Sequence, residues 1–278
     1  MTGRKFGKFA DIPDGQDSPL AYATQQRDKN VLKMVEDALR HNEAALAFQP
    51  VVEAARPDRV AFYEGLMRIF DETERVIPAR DFIDHVEDTE IGRLIDCVAL
   101  EQGLEVLAEA PDIRLSVNMS LRSAGYPRWM DSLERGLARD PSIGERLILE
   151  ISEASVMQVP ELVIPFMDHI RNRNIAFALD DFGSGATSLR FFRDFRFDIL
   201  KISGAFCRRI HLEPDNQVLI SALNMIGDHF GMLTVATGIE AREEAEWCAR
   251  HGIGCLQGYL FGAPSLKMSW KGDQRRAG

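Results

Sequence analysis

Short apolar runs recur along the chain and predict β-strands. They are rich in β-branched residues, and runs of this length are typical of strands buried in a sheet. Eight segments show this pattern: Leu46–Val52, Val60–Ile69, Ile113–Asn118, Leu147–Ile151, Ala176–Leu179, Ile199–Ile202, Leu233–Ala236 and Cys255–Leu260.

Between most of these runs, apolar residues return every three or four positions, as they do on one face of a helix. This spacing predicts helices over Asp28–His41, Arg80–Glu101 and Gln217–Phe230. The predicted apolar face of the last helix consists of Val218, Leu219, Ala222, Leu223 and Ile226.

The alternation of strands and helices predicts an α/β fold with mostly parallel strands joined by right-handed crossovers. Eight strands with helical connections indicate a (β/α)8, TIM-like barrel. The first two strands are separated only by Glu53–Arg59, which is too short for a crossover helix. We therefore expect an antiparallel first strand.

The two ends of the chain lack any periodic apolar pattern. Residues 1–27 and 269–278 are polar and contain Gly, Asp and Gln, so we expect flexible tails there. No linker rich in Gly, Ser or Pro interrupts the residues between them. This pattern predicts one barrel domain over residues 28–268.

Composition and charge exclude several classes of protein. The 278 residues contain 33 Lys and Arg against 43 Asp and Glu, a net charge of −10, which argues against binding to DNA or RNA polymers. The 4 cysteines form no CxxC pair, as expected for reduced thiols rather than a zinc ribbon. No apolar run is long enough to span a membrane, and the N-terminal residues lack the apolar segment of a signal peptide, so we expect no secretion. We expect a cytoplasmic location, although the chain could also be part of a larger, membrane-tethered protein.

Polar side chains interrupt or directly follow most of the apolar runs. They are Glu64, Asn118, Glu150, Asp180, Asp181, Lys201 and Gln257. In a (β/α)8 barrel the carboxyl ends of the strands converge on one face, where active sites are built. Several carboxylates crowded there need cations, and oxygen ligands suit Mg²⁺, Mn²⁺ or Ca²⁺ better than zinc.

Each of these residues also has an ordinary structural interpretation. Asp181 could cap a following helix, Lys201 could pair with one Asp, and Asn118 could be a turn residue. The occurrence of the whole set on successive strands favours a site. The segment Asp180–Gly185 (Asp-Asp-Phe-Gly-Ser-Gly) adds two glycines, which allow the backbone to pass close to a ligand. A protein kinase is excluded because the other kinase motifs are missing.

Eight motifs in this order resemble the EAL domain family, which hydrolyses or binds the bacterial messenger cyclic di-GMP. The resemblance covers residues 30–266, and the family has a (β/α)8-like barrel with an antiparallel first strand. The motifs are Phe48–Val52, Glu64–Arg68, Ser116–Ser120, Leu149–Glu153, Asp180–Gly185, Leu200–Ser203, Val235–Glu240 and Gln257–Phe261.

The resemblance implies roles for individual residues. It implies Mg²⁺ or Mn²⁺, at one site, two sites or none, and cyclic di-GMP as the ligand. Lys201 would orient the attacking water, Glu240 would support the site, and Glu153 would couple the loop at Asp181 to ligand and dimer partner. The implied metal ligands are Glu64, Asn118, Glu150, Asp180 and Asp181. The implied dinucleotide contacts are Gln49, Glu64, Leu66, Arg68 and Gln257.

Three positions depart from the family pattern. Gly65 replaces the Ala of the Glu-Ala-Leu signature, and Ser203 stands where active members usually carry Asp. Thr237 stands at the position of the proposed general base, a Glu, and a Thr hydroxyl cannot accept a proton near neutral pH.

These departures favour binding of cyclic di-GMP with hydrolysis lost or strongly weakened. The alternatives are an active metal-dependent phosphodiesterase that makes pGpG, and an adaptor that binds a protein partner and no nucleotide. The family often dimerises near the loop after the Asp pair, here Ala186–Asp194, so a homodimer is also expected.

Overall fold

The computed structural model describes residues 19–71, 73–185 and 192–271. Nine strands form one sheet within these ranges. They are β1 (Ala44–Glu53), β2 (Arg56–Phe70), β3 (Val76–Pro78), β4 (Leu115–Asn118), β5 (Leu147–Ser152), β6 (Ala176–Phe182), β7 (Ile199–Ile202), β8 (Leu233–Ala236) and β9 (Cys255–Gln257).

Eight of these strands close into a barrel, which confirms the predicted fold class. The order is β1-β9-β8-β7-β6-β5-β4-β2, and pairing of β1 with β2 completes the ring. Strand β1 is antiparallel to both neighbours, whereas the other barrel strands pair in parallel. Beyond the hairpin, Phe70 at the end of β2 donates its backbone N–H to the Glu43 carbonyl just before β1 (2.8 Å).

Helices surround the barrel. They are α1 (Pro19–Arg40), α2 (Ile83–Val86), α3 (Glu90–Glu109), α4 (Pro127–Arg139), α5 (Glu153–Gln158), α6 (Pro160–Arg171), α7 (Gly204–Cys207), α8 (Pro214–His229) and α9 (Arg242–Arg250). None of the described helices combines the length and the apolar character needed to cross a membrane. The main core lies between the barrel wall and this helical layer.

A smaller apolar cluster fills the inside of the barrel. Because strand side chains alternate between the two faces, one residue from each of several strands contributes to it. Its members are Val51, Phe62, Ile148, Ala178, Ile199, Val235 and Cys255. This layer matters for the site, because the next inward-facing position on each strand lies two residues further along.

Two of the predicted helices have different bounds in the structure. The helix predicted over Asp28–His41 begins at Pro19, so it includes residues that we expected in the N-terminal tail. The helix predicted over Arg80–Glu101 is divided: α2 ends at Val86, and α3 begins after Thr89, whose hydroxyl accepts the N–H of Ile91 as an N-cap. The helical spacing of apolar residues continues across this break in the sequence. The helix itself is interrupted, because Thr89 caps the start of a new helix.

The predicted apolar face of α8 is correct only in part: Leu223 and Ile226 pack against the core, whereas Val218, Leu219 and Ala222 are exposed. Val218 is 70% exposed and Leu219 is 45% exposed, whereas Asn224 and Gly227 are among the buried residues. Asn224 accepts a hydrogen bond from Thr234 of β8 (2.6 Å), and a Cβ at Gly227 would lie 2.4 Å from the Thr234 methyl. The Asn224–Thr234 hydrogen bond and the close contact of Gly227 with Thr234 help to decide which face of the helix is buried. The spacing of apolar residues along the sequence reveals neither contact.

The predicted C-terminal tail begins with packed residues. A short 3-10 turn spans Ser269–Lys271, and the Trp270 ring lies 5.0 Å from the ring of Phe48 and 4.6 Å from that of Tyr63, between centroids. The remaining parts of both predicted tails, residues 1–18 and 272–278, lie outside the described residues. The domain boundaries at residues 28 and 268 stay a prediction.

Replacing Trp270 with Ala should therefore destabilise the barrel. The half-buried ring covers Phe48 and Tyr63, so we expect a loss of about 1–2 kcal/mol, less than for a fully buried Trp. Denaturant unfolding would measure it. Lys267→Ala, at an exposed position in the same segment, is the control and should change stability by less than about 0.5 kcal/mol. Equal stability of the two variants would show that the segment is a tail after all.

Candidate functional site

A layer of polar side chains sits directly above the apolar layer inside the barrel. On most strands it occupies the position two residues beyond an inward-facing apolar residue, so strand alternation points it into the mouth. Glu64 follows Phe62, Glu150 follows Ile148, and Lys201 follows Ile199 in this way. The same relation holds for Asp180 after Ala178, Thr237 after Val235 and Gln257 after Cys255. On the antiparallel β1 the corresponding residue, Gln49, precedes Val51 and pairs with Glu64.

The centre of this layer is the Lys201 ammonium. Its Nζ lies 3.0 Å from an oxygen of Glu64 and 3.0 Å from an oxygen of Asp180, and it also donates to Glu150. The Lys201 side chain is 2% exposed, and that of Glu150 is completely buried. A buried cation is tolerated here because carboxylates from three different strands surround it.

Amide side chains hold Glu64 from the other side. Asn118 Nδ2 donates to Glu64 Oε1 (2.9 Å), and Gln257 Nε2 donates to Glu64 Oε2 (2.5 Å). Gln257 also contacts Gln49 (3.3 Å), which in turn donates to the Gly262 carbonyl (3.0 Å). The hydrogen bonds connect the predicted metal ligands Glu64 and Asn118 with the predicted ligand contacts Gln49 and Gln257.

The pKa values of these groups follow from burial and mutual charge. Burial raises the pKa of Glu64, but the Lys201 charge and the amide hydrogen bonds outweigh it, so the pKa lies below its ordinary value. Burial raises the pKa of Glu150 to about 8, and repulsion from Glu64 adds to this despite the opposing Lys201 charge. Burial lowers the pKa of Lys201, but Asp180, Glu150 and Glu64 outweigh it and raise the pKa well above the usual value. The ammonium therefore stays charged.

The acidic cluster fits a divalent cation. One oxygen from each of Glu64, Glu150 and Asp180 lies within 4.8 Å of the others. Three carboxyl groups face one ammonium here, and Glu150 Oε1 is buried without a hydrogen-bond partner within the described part of the chain. Carboxylate and amide oxygens are the donors that Mg²⁺ and Mn²⁺ prefer.

The loop after β6 is held by a buried carboxylate of α5. One oxygen of Glu153 accepts the backbone N–H groups of Gly183 and Gly185 (both 3.0 Å). Asp181 is exposed and has a left-handed backbone (φ 55°), and Gly183 also has a positive φ of 92°. A Cβ at Gly183 would lie 2.6 Å from the Phe206 ring, so this position requires glycine.

An open cleft of about 360 Å³ lies above the polar layer. Many of the predicted site residues line it: Gln49, Glu64, Leu66, Asp180, Asp181, Lys201, Thr237, Glu240 and Gln257. Thr237 donates its hydroxyl proton to the Ile202 carbonyl (2.9 Å), and Glu240 is exposed at the rim.

Arg68 and Gly65 complete the positions predicted on β2. Arg68 is half-buried and donates to the Met67 carbonyl (2.8 Å), and it is not among the residues that line the cleft. A Cβ at Gly65 would lie 3.2 Å from a Leu46 methyl and 3.3 Å from the Ser116 carbonyl. The family's Ala would thus fit after a small shift.

Sequence reasoning missed three residues near the site. Tyr259 lines the cleft, two residues beyond the end of β9. Glu244 of α9 accepts the N–H groups of Glu240 and Ala241 (2.9 and 3.0 Å) and so fixes the loop after Thr237. Asp96 of α3 is a buried carboxylate that binds the loop after Asn118. Its only sequence signal is a charge inside an apolar helical stretch.

Removing the Lys201 cation should destabilise the protein unless a metal is supplied. Lys201→Met leaves the buried Glu64 and Glu150 and the partly buried Asp180 without their cation, so we expect a loss of about 3 kcal/mol or more in metal-free buffer. Mn²⁺ should recover part of it. Thermal unfolding with EDTA and with MnCl₂ would measure both, with the exposed Lys267→Met as control. A loss that Mn²⁺ does not change would argue against a cation at this cluster.

Asp96 should make stability depend on pH. Burial raises its pKa to about 7, above the unfolded value, so its contribution to stability is complete below about pH 4 and is lost as the pH rises through 7. Relative to Asp96→Asn, the wild type should lose up to about 4 kcal/mol between pH 4 and pH 8. Denaturant unfolding of both proteins across this range tests it, and a constant difference would contradict the prediction.

The chain is similar in sequence to proteins of known name. The bifunctional diguanylate cyclase/cyclic di-GMP phosphodiesterase MucR of Pseudomonas aeruginosa is 26% identical over 247 residues, which are 87% of this chain and 36% of MucR. The cyclic di-GMP phosphodiesterase PdeF of Escherichia coli is 27% identical over 238 residues, 84% of this chain and 32% of PdeF. The chain thus spans about a third of the length of these relatives.

Solved structures show the same barrel. A c-di-GMP complex of the PaMucR phosphodiesterase matches with a TM-score of 0.74 and 26% identity, over 85% of this chain and 97% of that one. The FimX EAL domain from Pseudomonas aeruginosa, bound to c-di-GMP, matches with a TM-score of 0.78 at 22% identity, over 86% of this chain and 98% of that one, a likeness of fold. The model of the EAL domain family matches residues 32–264. The chain therefore belongs to the EAL domain family.

Proposed function

We propose that this chain binds cyclic di-GMP at the mouth of its barrel and hydrolyses it weakly or not at all. The observation that carries the proposal is the hydroxyl of Thr237. It occupies the inward position of β8 in the same cleft as Lys201 and Asp180, and its proton is donated to the Ile202 carbonyl (2.9 Å). The cleft keeps its acidic cluster and its amide groups but has no carboxylate at this position.

Binding is supported by the groups that remain in the cleft. Gln49 and Gln257 offer amide donors and acceptors, Leu66 offers an apolar surface, and Lys201 supplies positive charge. Arg68, two residues beyond Leu66 on β2, adds a positive charge outside the lining of the cleft. The PaMucR phosphodiesterase, which this chain resembles over 85% of its length, was solved with c-di-GMP. A ligand with two phosphodiesters and two purine rings suits a site that combines these features.

The residues that would hold Mg²⁺ or Mn²⁺ are Glu64, Asn118, Glu150 and Asp180, with Asp181 available for a second ion. When bound, such an ion neutralises phosphate charge and lowers the pKa of a coordinated water. Asp181, near the end of β6, is exposed, has a left-handed backbone and is not part of the cluster of Glu64, Glu150 and Asp180. This placement favours one strong site over two.

The missing base is the reason to expect weak chemistry. A positioned general base contributes about 10²–10⁴-fold to the rate of such a reaction. The resemblance assigns the base to the position of Thr237, whose hydroxyl does not ionise near neutral pH. The resemblance also implies that Lys201 orients the attacking water. In this structure, however, the Lys201 ammonium forms ion pairs with Glu64, Glu150 and Asp180.

The second candidate function is an active phosphodiesterase that converts cyclic di-GMP to pGpG. The intact cluster of Glu64, Glu150, Asp180 and Lys201 favours it, because those are the groups that the reaction requires besides the base. Glu240, exposed at the rim of the same cleft, is the nearest alternative carboxylate on the loop after β8. Product analysis distinguishes this candidate from simple binding.

A protein partner or a second copy of the chain is a further part of the proposal. The exposed apolar side chains of α8, Val218 and Met225, are 70% and 69% exposed and offer a surface for either. Residues 186–191 of the expected dimerisation segment lie outside the described residues. An adaptor without nucleotide would bind a partner and give no heat with cyclic di-GMP.

Calorimetry and nucleotide chromatography test the proposal together. The wild type should bind cyclic di-GMP saturably in the presence of Mg²⁺ or Mn²⁺, and long incubation should leave the dinucleotide almost intact. Thr237→Glu should then gain hydrolysis by roughly 10²-fold or more, whereas Thr237→Gln, of similar size but without a base, should not. Rapid formation of pGpG by the wild type would establish the phosphodiesterase instead. Absence of binding with every metal would favour the adaptor.

A further inference from the structure

Asp96 is an anomaly in the helix layer around the barrel. It lies on α3 among buried apolar residues such as Ile95, Cys97 and Leu100, and it is 8% exposed. Within residues 19–71, 73–185 and 192–271, no Lys or Arg forms an ion pair with it. A buried carboxylate without a cation costs stability, so its position requires a compensating role.

Both hydrogen bonds of Asp96 go to one short segment. Its Oδ2 accepts the backbone N–H of Ser120 (2.9 Å) and the hydroxyl of Ser123 (2.6 Å). This segment consists of the 3-10 turn Leu121–Ser123 and its N-cap Ser120, which lies two residues after Asn118. No part of the dinucleotide cleft touches Asp96 itself.

The turn determines where Asn118 points. Asn118 is the last residue of β4 and is exposed, so few packing contacts fix its side chain. On the strand side, the Met119 N–H donates to the Glu150 carbonyl (2.9 Å). On the helix side, Asp96 holds Ser120. Directly before these two anchored residues, the Asn118 carboxamide donates to Glu64 Oε1 (2.9 Å).

We propose that Asp96 is a positioning residue that holds the Asn118 carboxamide against Glu64 and thereby sets the affinity of the acidic cluster for a divalent cation. The part about the cation rests on the metal site of the proposed function. Residues that orient metal ligands from behind typically change metal affinity 10- to 100-fold when removed. The energetic cost of burying Asp96 is consistent with a role in the site rather than in stability.

The test compares three variants in the otherwise intact chain. Asp96→Ala removes the acceptor, whereas Asp96→Asn keeps one oxygen for both donors. Asp198→Ala is the matched control, because Asp198 Oδ2 also accepts a backbone N–H, that of Phe177 (2.8 Å), before the start of β7 at the opposite end of the barrel. Mn²⁺ titration by calorimetry and crystal structures without metal supply two independent measurements.

Asp96→Ala should bind Mn²⁺ about 10-fold more weakly, and its crystal structure should show that the contact between Asn118 and Glu64 is lost. Asp96→Asn should retain both, and Asp198→Ala should keep the affinity even though it loses stability. Unchanged affinity and an intact Asn118–Glu64 contact in Asp96→Ala would overturn the proposal. So would an equal loss of affinity in Asp198→Ala, which would indicate a general effect of lower stability.

The test also covers two other outcomes: a wild type that binds no Mn²⁺, and an Asp96→Ala variant that does not fold. If the wild type binds no Mn²⁺, the metal site of the proposed function fails, and the crystal structures alone then decide whether Asp96 positions Asn118. If Asp96→Ala does not fold, Ser123→Ala replaces it, because this variant removes one of the two hydrogen bonds to Asp96. It should weaken Mn²⁺ binding measurably, and wild-type affinity would contradict the proposal.

Discussion

One ammonium group, that of Lys201, is enclosed by three carboxylates inside the mouth of the barrel. The arrangement joins β2, β5, β6 and β7 across the barrel interior, so it orients four strand ends at once. It also sets three carboxyl groups against one ammonium. The same interaction that holds the strand ends together therefore prepares the mouth for a further cation and, through it, for a ligand with negative charge.

The barrel makes this cluster by stacking two layers. The lower layer is apolar and dry, and the upper layer, two residues further along each strand, is polar. Glu150 lies in the polar layer and is fully buried, and this burial raises its pKa to about 8. Asp181 lies at the edge of the cleft and is exposed. Thr237 belongs to the same layer, so the position two residues beyond Val235 carries a hydroxyl and no charge.

Much of the barrel could be predicted because strands buried on both faces read as continuous apolar runs. Ile199–Ile202 and Leu233–Ala236 have the bounds that the sequence predicts, and Glu64, Glu150 and Asp180 were recognisable as charges at the ends of such runs. Their spatial convergence follows from closure of the barrel. Their roles toward metal and nucleotide remain proposals.

Other features depend on contacts that no local pattern contains. The Asn224–Thr234 hydrogen bond and the close approach of Gly227 help to set the buried face of α8, so Val218 and Leu219 are exposed although Leu223 and Ile226 pack on the core. Asp96 lies in a helix, far along the chain from the strand ends, and only the fold brings it to Ser120.

The direction of β1 has a consequence for how the barrel is approached. Because β1 runs opposite to the other barrel strands, its first residues lie at the end where those strands finish, and Glu43 contacts Phe70 beyond Glu64. The polypeptide before Ala44, including α1, therefore arrives on the side of the carboxylates. A parallel first strand would have brought it to the opposite rim. In this position α1 packs against α2, α3 and β2, the strand that carries Glu64.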